Sequence, residues 1–285
     1  MFSGSLEIDN IVMMLSALLG SAAVFEAGET VLVLDEIQDC PEARTALKFF
    51  RMDGRYDVIG TGSLLGVKGY GKEPKSIPVG SETVIDMYPL DFEEFLWANG
   101  VGAPLVEMLK KNLEMETPVP DALHNRMKQL LLQYTVVGGM PDAVQTFVDT
   151  KQMDKVLRIQ RDIVRSYEDD MVKYAEKKDK SRIKECFQSI PRQLSKENKK
   201  FQYSVIKKGS TASKYTGSLQ WIEDAGIIAR CYNLSITELP LDGNAEEEVF
   251  KVYMRDCGLF VSMLEDGTQY DILQGNLYGY KGAIF

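Results

Sequence analysis

Apolar residues recur at helical spacing between residues 10 and 20, then close into an unbroken run at Thr30 to Leu34 (TVLVL). Such a run suits a strand buried on both faces. Pro41 opens a second helical stretch that presents Ala43, Leu47 and Phe50 on one side, and Tyr56 to Gly60 (YDVIG) supplies another short strand. Strand, helix and strand with short links predict a parallel βαβ unit. After a Gly/Pro/Lys-rich loop from Gly66 to Gly80, the pattern predicts a third strand at Glu82 to Met87. A helix starts within Pro89 to Trp97, with acidic residues in its first turn. Helical periodicity then fills 101–114, 121–137, 141–149, 153–177 and 180–190, with breaks at Pro118/Pro120, Gly138-Gly139 and Pro191. Near residue 200 the pattern changes again. Ser210 to Ala225 carries Tyr215, Leu219 and Ile222 on one helical face and stops at Gly226. Ile227 to Tyr232 and Val249 to Tyr253 read as strands around an Asp242-Gly243-Asn244 turn. Helix followed by hairpin is the second half of a winged helix-turn-helix. There is no internal repeat.

The chain has 285 residues, 45% of them hydrophobic, enough for roughly two domains and incompatible with disorder throughout. Its single histidine, His124, removes most chemistry that sets imidazole beside other ligands or a nucleophile. Cys40, Cys186, Cys231 and Cys257 form no CxxC pair and read as reduced thiols of a cytoplasmic protein. The apolar run Ile11 to Phe25 follows Glu7 and Asp9 and precedes the first basic residue, Arg44. It is shorter than the roughly 20 residues of a membrane span, so it predicts a packed helix and no membrane partner. The net charge of -9 conceals blocks: 11 Lys+Arg face 22 Asp+Glu in residues 1–150, 19 face 11 in 151–230, and 3 face 9 in 231–285. The acidic total argues against indiscriminate coating of nucleic acid, while the basic middle can still meet phosphate.

The most specific chemistry lies in Val31-Leu-Val-Leu-Asp35-Glu36, an apolar strand that ends in two carboxylates. At the end of a parallel strand the first can hold a nucleotide-bound Mg²⁺ and the second can orient or deprotonate an attacking water, which makes this a Walker B pattern. The bland alternative is an exposed acidic pair. Thr61-Gly62-Ser63 ends the next strand and places a hydroxyl between these carboxylates and a γ-phosphate, against the alternative of an ordinary Gly/Ser turn. The segment Gly66 to Glu73 imitates a phosphate-binding loop and fails on chemistry. Glu73 stands where a Ser or Thr hydroxyl is needed, Pro74 and Pro78 disfavour the following helix, and no other GxxxxGK[ST] occurs. Arg44, Arg51 and Arg55 are candidate arginine fingers or plain solvated arginines, with nothing in the sequence to choose among them. The stripe Tyr88, Leu90, Phe92, Phe95, Leu96, Trp97 reads as core packing. Farther on, Lys207, Lys208 and Lys214, with Lys199 and Lys200, surround the second helix of the winged element. They suit DNA phosphates more than base edges, since no arginine lies between Arg192 and Arg230. A packing module with a solvated basic face is the other reading.

Six stretches together resemble the prokaryotic AAA-type ATPases fused to a C-terminal domain of unknown function. They are LVLDEIQDCPEARTALKFF (32–50), VIGTGSLLGV (58–67), SIPVGSETVIDMYPLDFEEFLWANG (76–100), VVGGMPDAV (136–144), KVYMRDCGLF (251–260) and GNLYGYKGAIF (275–285). The resemblance covers nearly the whole chain. It implies an α/β fold: a partial AAA-type (RecA-like) parallel sheet at 1–100, a helical lid with connecting helices at 101–178, and a winged helix with the start of the C-terminal domain at 179–285. It also implies ATP and Mg²⁺ as ligands of the full-length parent, Walker B roles for Asp35 and Glu36, metal binding by Asp35, and the sensor 1 role for Ser63 with Thr61 as the alternative hydroxyl. In that family a P-loop strand and helix precede the segment beginning at Phe2, and a restriction-endonuclease-like part follows. The chain therefore reads as an internal fragment without Walker A, inactive alone and compatible with an oligomer. Two rivals stand: a DNA-binding regulator on a degenerate ATPase scaffold, and a helicase, since Asp35-Glu36-Ile37-Gln38 also reads as DExQ although the helical stretch after 100 offers no second RecA-like domain.

Overall fold

The computed structural model describes residues 2, 4–20, 23–63, 80–175, 179–196 and 198–276. The loop segment with Gly71-Lys72-Glu73, Pro74 and Pro78 lies outside the described residues, as does most of the 275–285 stretch. The chain divides into two units, Met1–Met87 and Tyr88–Phe285, and combines a small parallel sheet with many helices.

The first unit runs α1 (Ile8–Leu19), β1 (Val31–Leu34), a 3-10 turn (Ile37–Asp39), α2 (Pro41–Asp53) and β2 (Asp57–Gly60). Pro41 sits in the first turn of α2, where its missing N–H costs nothing, and Gly54 ends the helix at φ +73°. The two strands pair in parallel from Val31 opposite Asp57 to Leu34 opposite Gly60. Leu32 packs with Ile8, Ile11, Ala46 and Phe50, and Tyr56 and Val58 close the same core. Burial on both faces of β1 does not hold: Val33 and its partner Ile59 are 61% and 53% exposed. The predicted third strand at Glu82 to Met87 is absent as well. A β-prone run alone does not make a strand. Its N–H and C=O groups need a paired neighbour, no described residue provides one, and Val84, Ile85 and Met87 stay exposed.

The second unit opens with α3 (Phe92–Ala98), α4 (Ala103–Glu114), α5 (Asp121–Val137), α6 (Pro141–Thr150) and α7 (Met153–Tyr174). Asp91 caps α3 in a reciprocal capping box with Glu94. Phe95, Leu96, Leu130, Val137, Phe147 and Val156 form the core, with the Phe95 and Phe147 rings stacked at 5.9 Å. Each fully buried side chain of this size contributes about 1.5–3 kcal/mol. Leu90 and Phe92 pack against the cluster, whereas Tyr88 and Trp97 of the same stripe remain exposed.

There follow α8 (Lys180–Gln188), α9 (Ile190–Leu194), α10 (Tyr203–Ile206), α11 (Ala212–Asp224), β3 (Ile228–Leu234), β4 (Ala245–Met254), α12 (Cys257–Ser262) and α13 (Thr268–Leu273). Pro191 does not simply stop the chain's helix; it lies in the first turn of α9. β3 and β4 are antiparallel from Ile228 opposite Met254 to Tyr232 opposite Phe250, after which Asn233 pairs with Glu246. Residues 247–249 are therefore bulged out of the ladder. The Asp242-Gly243-Asn244 turn falls within a 3-10 turn, Leu241–Asn244, in a longer hairpin loop than predicted. No helix among the described residues is long and apolar enough to cross a membrane.

Candidate functional site

Parallel pairing brings the carboxyl ends of β1 and β2 side by side. The pairing continues one step beyond the strands, because the Thr61 N–H donates to the Leu34 carbonyl and the Ile37 N–H to the Thr61 carbonyl, both at 2.9 Å. Between these anchors the chain turns sharply, and Glu36 takes a left-handed backbone conformation (φ 51°, ψ 46°). That conformation costs a residue with a Cβ about 1 kcal/mol or more. The two cross-strand hydrogen bonds and the buried Ile37 side chain hold it.

This turn presents the predicted residues in a defined arrangement. The Thr61 hydroxyl donates to Asp35 Oδ1, which leaves Oδ2 available. Glu36 makes a separate contact, in which its Oε2 accepts from Gln38 Nε2. Gln38 Oε1 is buried and accepts no hydrogen bond among the described residues. Asp35, Glu36 and Thr61 are all exposed, and Ser63 is half-buried two residues beyond Thr61. Of the two hydroxyls named from the sequence, Thr61 is the one that meets Asp35. Gln38 was legible only as the fourth residue of a DExQ pattern, and its role as a tether for Glu36 was not.

The candidate arginines separate clearly. Arg44 is not a solvated arginine: it pairs with Glu82 at 2.8 Å, with the two side chains only 12% and 19% exposed. Arg55 is held by Asp53 at 2.8 Å and Asp9 at 2.6 Å, and hydrogen bonding to Asp53 above all drives its guanidinium pKa upward. Arg51 is exposed on α2.

In the second unit the three candidate lysines are also not equivalent. Lys207 Nζ lies 3.1 Å from Glu185 Oε1, and the Tyr215 hydroxyl donates to the other oxygen of that carboxylate at 2.6 Å. The Tyr215 hydrogen bond first, and then Lys207, lower the Glu185 carboxyl below its ordinary value. Lys208 and Lys214 are exposed and make no ion pair among the described residues. His124 is exposed on α5. Among the described residues no group of three His, Cys, Asp or Glu side chains is arranged to hold a metal ion.

A buried polar junction was not foreseen. Asp256, 4% exposed, caps α12 by accepting from the Leu259 N–H at 2.7 Å, and its other oxygen accepts from the Gly139 N–H at 2.6 Å. Burial raises its carboxyl pKa, opposed by backbone N–H donors of Gly139, Leu259, Gly258 and Met140. The glycines are there for space. A Cβ on Gly138, at φ +71°, would stand 2.3 Å from Asp256 Oδ1, and one on Gly139 would stand 2.0 Å from the Leu90 carbonyl oxygen. Gln160 donates to the Val136 and Val137 carbonyls at 2.8 and 2.9 Å, closing the end of α5. Burial pushes the neighbouring Cys257 thiol up to about 12, which suits an unreactive sulfur.

Residues 128–270 match the family described as Domain of unknown function (DUF8612), and the chain belongs to that family. Residues 5–96 match the family described as AAA domain, so an AAA domain stands at the N-terminus with the DUF8612 domain C-terminal to it. No curated protein matches. Among solved structures, the chain is similar to "The walker-type atpase paby2304 of pyrococcus abyssi", at 13% sequence identity and a TM-score of 0.44. The match covers 83% of this chain and 63% of that one, so the chain spans less than two thirds of that protein's length.

Proposed function

We propose that the ends of β1 and β2 form the metal-binding and water-activating part of a Mg²⁺-ATP site, a Walker B element in an AAA-type ATPase. The observation that carries this reading is the pair Asp35 and Glu36 displayed at a parallel strand end inside the AAA match, with Thr61 hydrogen-bonded to Asp35. Hard carboxylate and hydroxyl oxygens suit Mg²⁺, whose remaining positions water and phosphate oxygens normally fill. Asp35 would hold the metal, and Mg²⁺-ATP would supply the transferable phosphoryl group with its charge partly neutralised. Glu36 would accept the proton of the attacking water, aimed by the strained turn and by Gln38. Ser63 takes the sensor 1 role, with Thr61 as the alternative hydroxyl. In this reading residues 1–100 are the ATPase core, 101–178 a helical lid with connecting helices, and 179–285 a winged helix and the start of a C-terminal domain.

The chain holds no GxxxxGK[ST], so its own residues offer carboxylates to an anionic nucleotide without the amides and lysine that offset the charge. The chain alone therefore binds Mg-ATP more weakly than micromolar. The test joins a GxxxxGK[ST] strand, loop and helix ahead of Phe2 and measures hydrolysis. Glu36→Gln should lose at least about a hundredfold in turnover while retaining ATP, because the amide keeps the shape and cannot take the proton. Unchanged turnover removes the assignment.

A second reading rests on the helix and hairpin of residues 212–254. The exposed Lys208 and Lys214, with Lys207 beside Glu185, suit DNA phosphates, and the winged helix would then be a DNA-contact module. Replacing all three with alanine should weaken every duplex alike and flatten a salt slope of roughly -3. Failure of the chain to shift any duplex at low salt would leave the module to protein contacts.

A further inference from the structure

A groove of about 480 Å³ runs between α11 and the β3–β4 hairpin, within the size range of ligand sites. One wall is the helix face with Ala212, Thr216 and Gln220; the other includes Tyr232 and Phe250, and Tyr203 closes one side through its hydroxyl contact to Thr216 at 3.3 Å. Among the described residues that line it, Arg230 is the single cation, and its charge is already used. Its Nε donates to Glu223 Oε2 at 2.6 Å, it also bonds Gln220, its side chain is 12% exposed, and its guanidinium stands over the Tyr232 and Phe250 rings at 5.6 and 5.9 Å.

The anions of the groove are in the opposite condition. Asp242, Glu247 and Glu248 line it, are exposed, and carry no ion pair or side-chain hydrogen bond among the described residues. The bulge after Phe250's pairing with Tyr232 is what frees Glu247 and Glu248 from the ladder and turns this stretch of β4 into a rim. Residues 231–250 contain five acidic residues and no lysine or arginine. Burial raises the Tyr232 phenol above its ordinary value, Arg230 opposes the shift, and Glu223 and Glu247 add to it, so the ring remains a neutral, electron-rich wall.

A groove with aromatic walls, a neutralised arginine at its base and three uncompensated carboxylates at its rim selects a cation. We propose that this groove is the docking site for a lysine- or arginine-bearing segment of a protein partner. Basic side chains would pair with Asp242, Glu247 and Glu248 while their alkyl stems lie against the half-buried Tyr203 and Tyr232. The same charges turn a phosphate backbone away from the groove, which confines any DNA contact to the Lys208 and Lys214 side. The site uses none of the strand-end carboxylates of the first unit and does not depend on their role.

The experiment titrates the intact chain into fluorescein-labelled hexa-arginine and hexa-lysine, with a Gly/Ser hexapeptide as the neutral probe, and follows anisotropy at low and moderate salt. Two variants raise the net charge equally. Glu247→Lys with Glu248→Lys acts in the groove, and Glu114→Lys with Glu265→Lys acts on exposed carboxylates outside the groove lining. The expected result is binding of a basic peptide and not of the neutral one, weakened at least tenfold by the groove variant and less than twofold by the control. Asp242→Lys, on the hairpin loop, should weaken binding several-fold and provides a second groove variant should the first not fold. No binding by the wild type at low salt overturns the proposal. So does equal weakening in both double variants, which would mean general attraction to an acidic chain. Direct binding of a labelled DNA duplex by the wild type, weakened by Thr216→Glu in the groove wall, also overturns it, in favour of a nucleic-acid groove.

Discussion

Asp35 and Asp256 look alike in the sequence: each follows an apolar strand, VLVL in one case and VFKVYM plus Arg255 in the other. Their surroundings are opposite. Asp35 lies at the end of a parallel strand, exposed, with one oxygen bonded by the Thr61 hydroxyl. Asp256 follows an antiparallel strand into a short helix, is buried, and spends both oxygens on backbone N–H groups. An aspartate with free lone pairs at the surface is available to a ligand, whereas one whose oxygens satisfy buried donors is structural. Topology decides which a strand-ending aspartate becomes. A parallel strand end leaves the following turn open, and an immediate helix start recruits the carboxylate as a cap.

The comparison breaks most forcefully at the glycines. Gly139→Ala places a Cβ against the Leu90 carbonyl oxygen, a backbone atom without freedom to move aside. It should cost about 3 kcal/mol or more, seen as a melting temperature lower by roughly 6–12 °C at about 2–4 °C per kcal/mol. Gly60→Ala in the first unit also brings a Cβ to 2.8 Å from a neighbour, but that neighbour is Ile37 Cδ1, the end of a rotatable side chain. Its cost should stay near 1 kcal/mol. Equal losses at the two sites would mean that the junction around Gly139 is no more rigid than the strand-end turn.

Much of this was legible from local pattern. The strands at 31–34 and 57–60, the helices from 92 to 174 and the Asp35-Glu36 pair all announce themselves within a few residues, because periodicity and strand-end chemistry are local. Asp256 does not, since its partner Gly139 lies 117 positions away and only tertiary packing joins them. Helices 257–262 and 268–273 span less than two turns, too short to display a period. The segment 82–87 misled for the converse reason: its β-prone pattern is local, but a strand is a pairing. Arg44 looked like a surface residue until Glu82, 38 positions later, met it. The groove between α11 and the hairpin depends on a register slip that no local pattern records.

The most direct measurement of the contrast is the thermal stability of Asp35→Asn beside that of Asp256→Asn in the same chain. Asparagine retains one acceptor oxygen and replaces the other with an NH₂ group. At position 256 that group faces a buried N–H donor, leaving it unsatisfied at a cost of about 1–3 kcal/mol. At position 35 the Thr61 hydroxyl still finds an acceptor, and relief of repulsion from Glu36 leaves stability unchanged or slightly higher. Asp256→Asn is expected to melt roughly 2–12 °C lower and in any case below Asp35→Asn, which stays within about 2 °C of the wild type. A loss at Asp35 as large as that at Asp256 would contradict the account, because the strand-end carboxylate would then be holding the fold together rather than standing ready for a ligand.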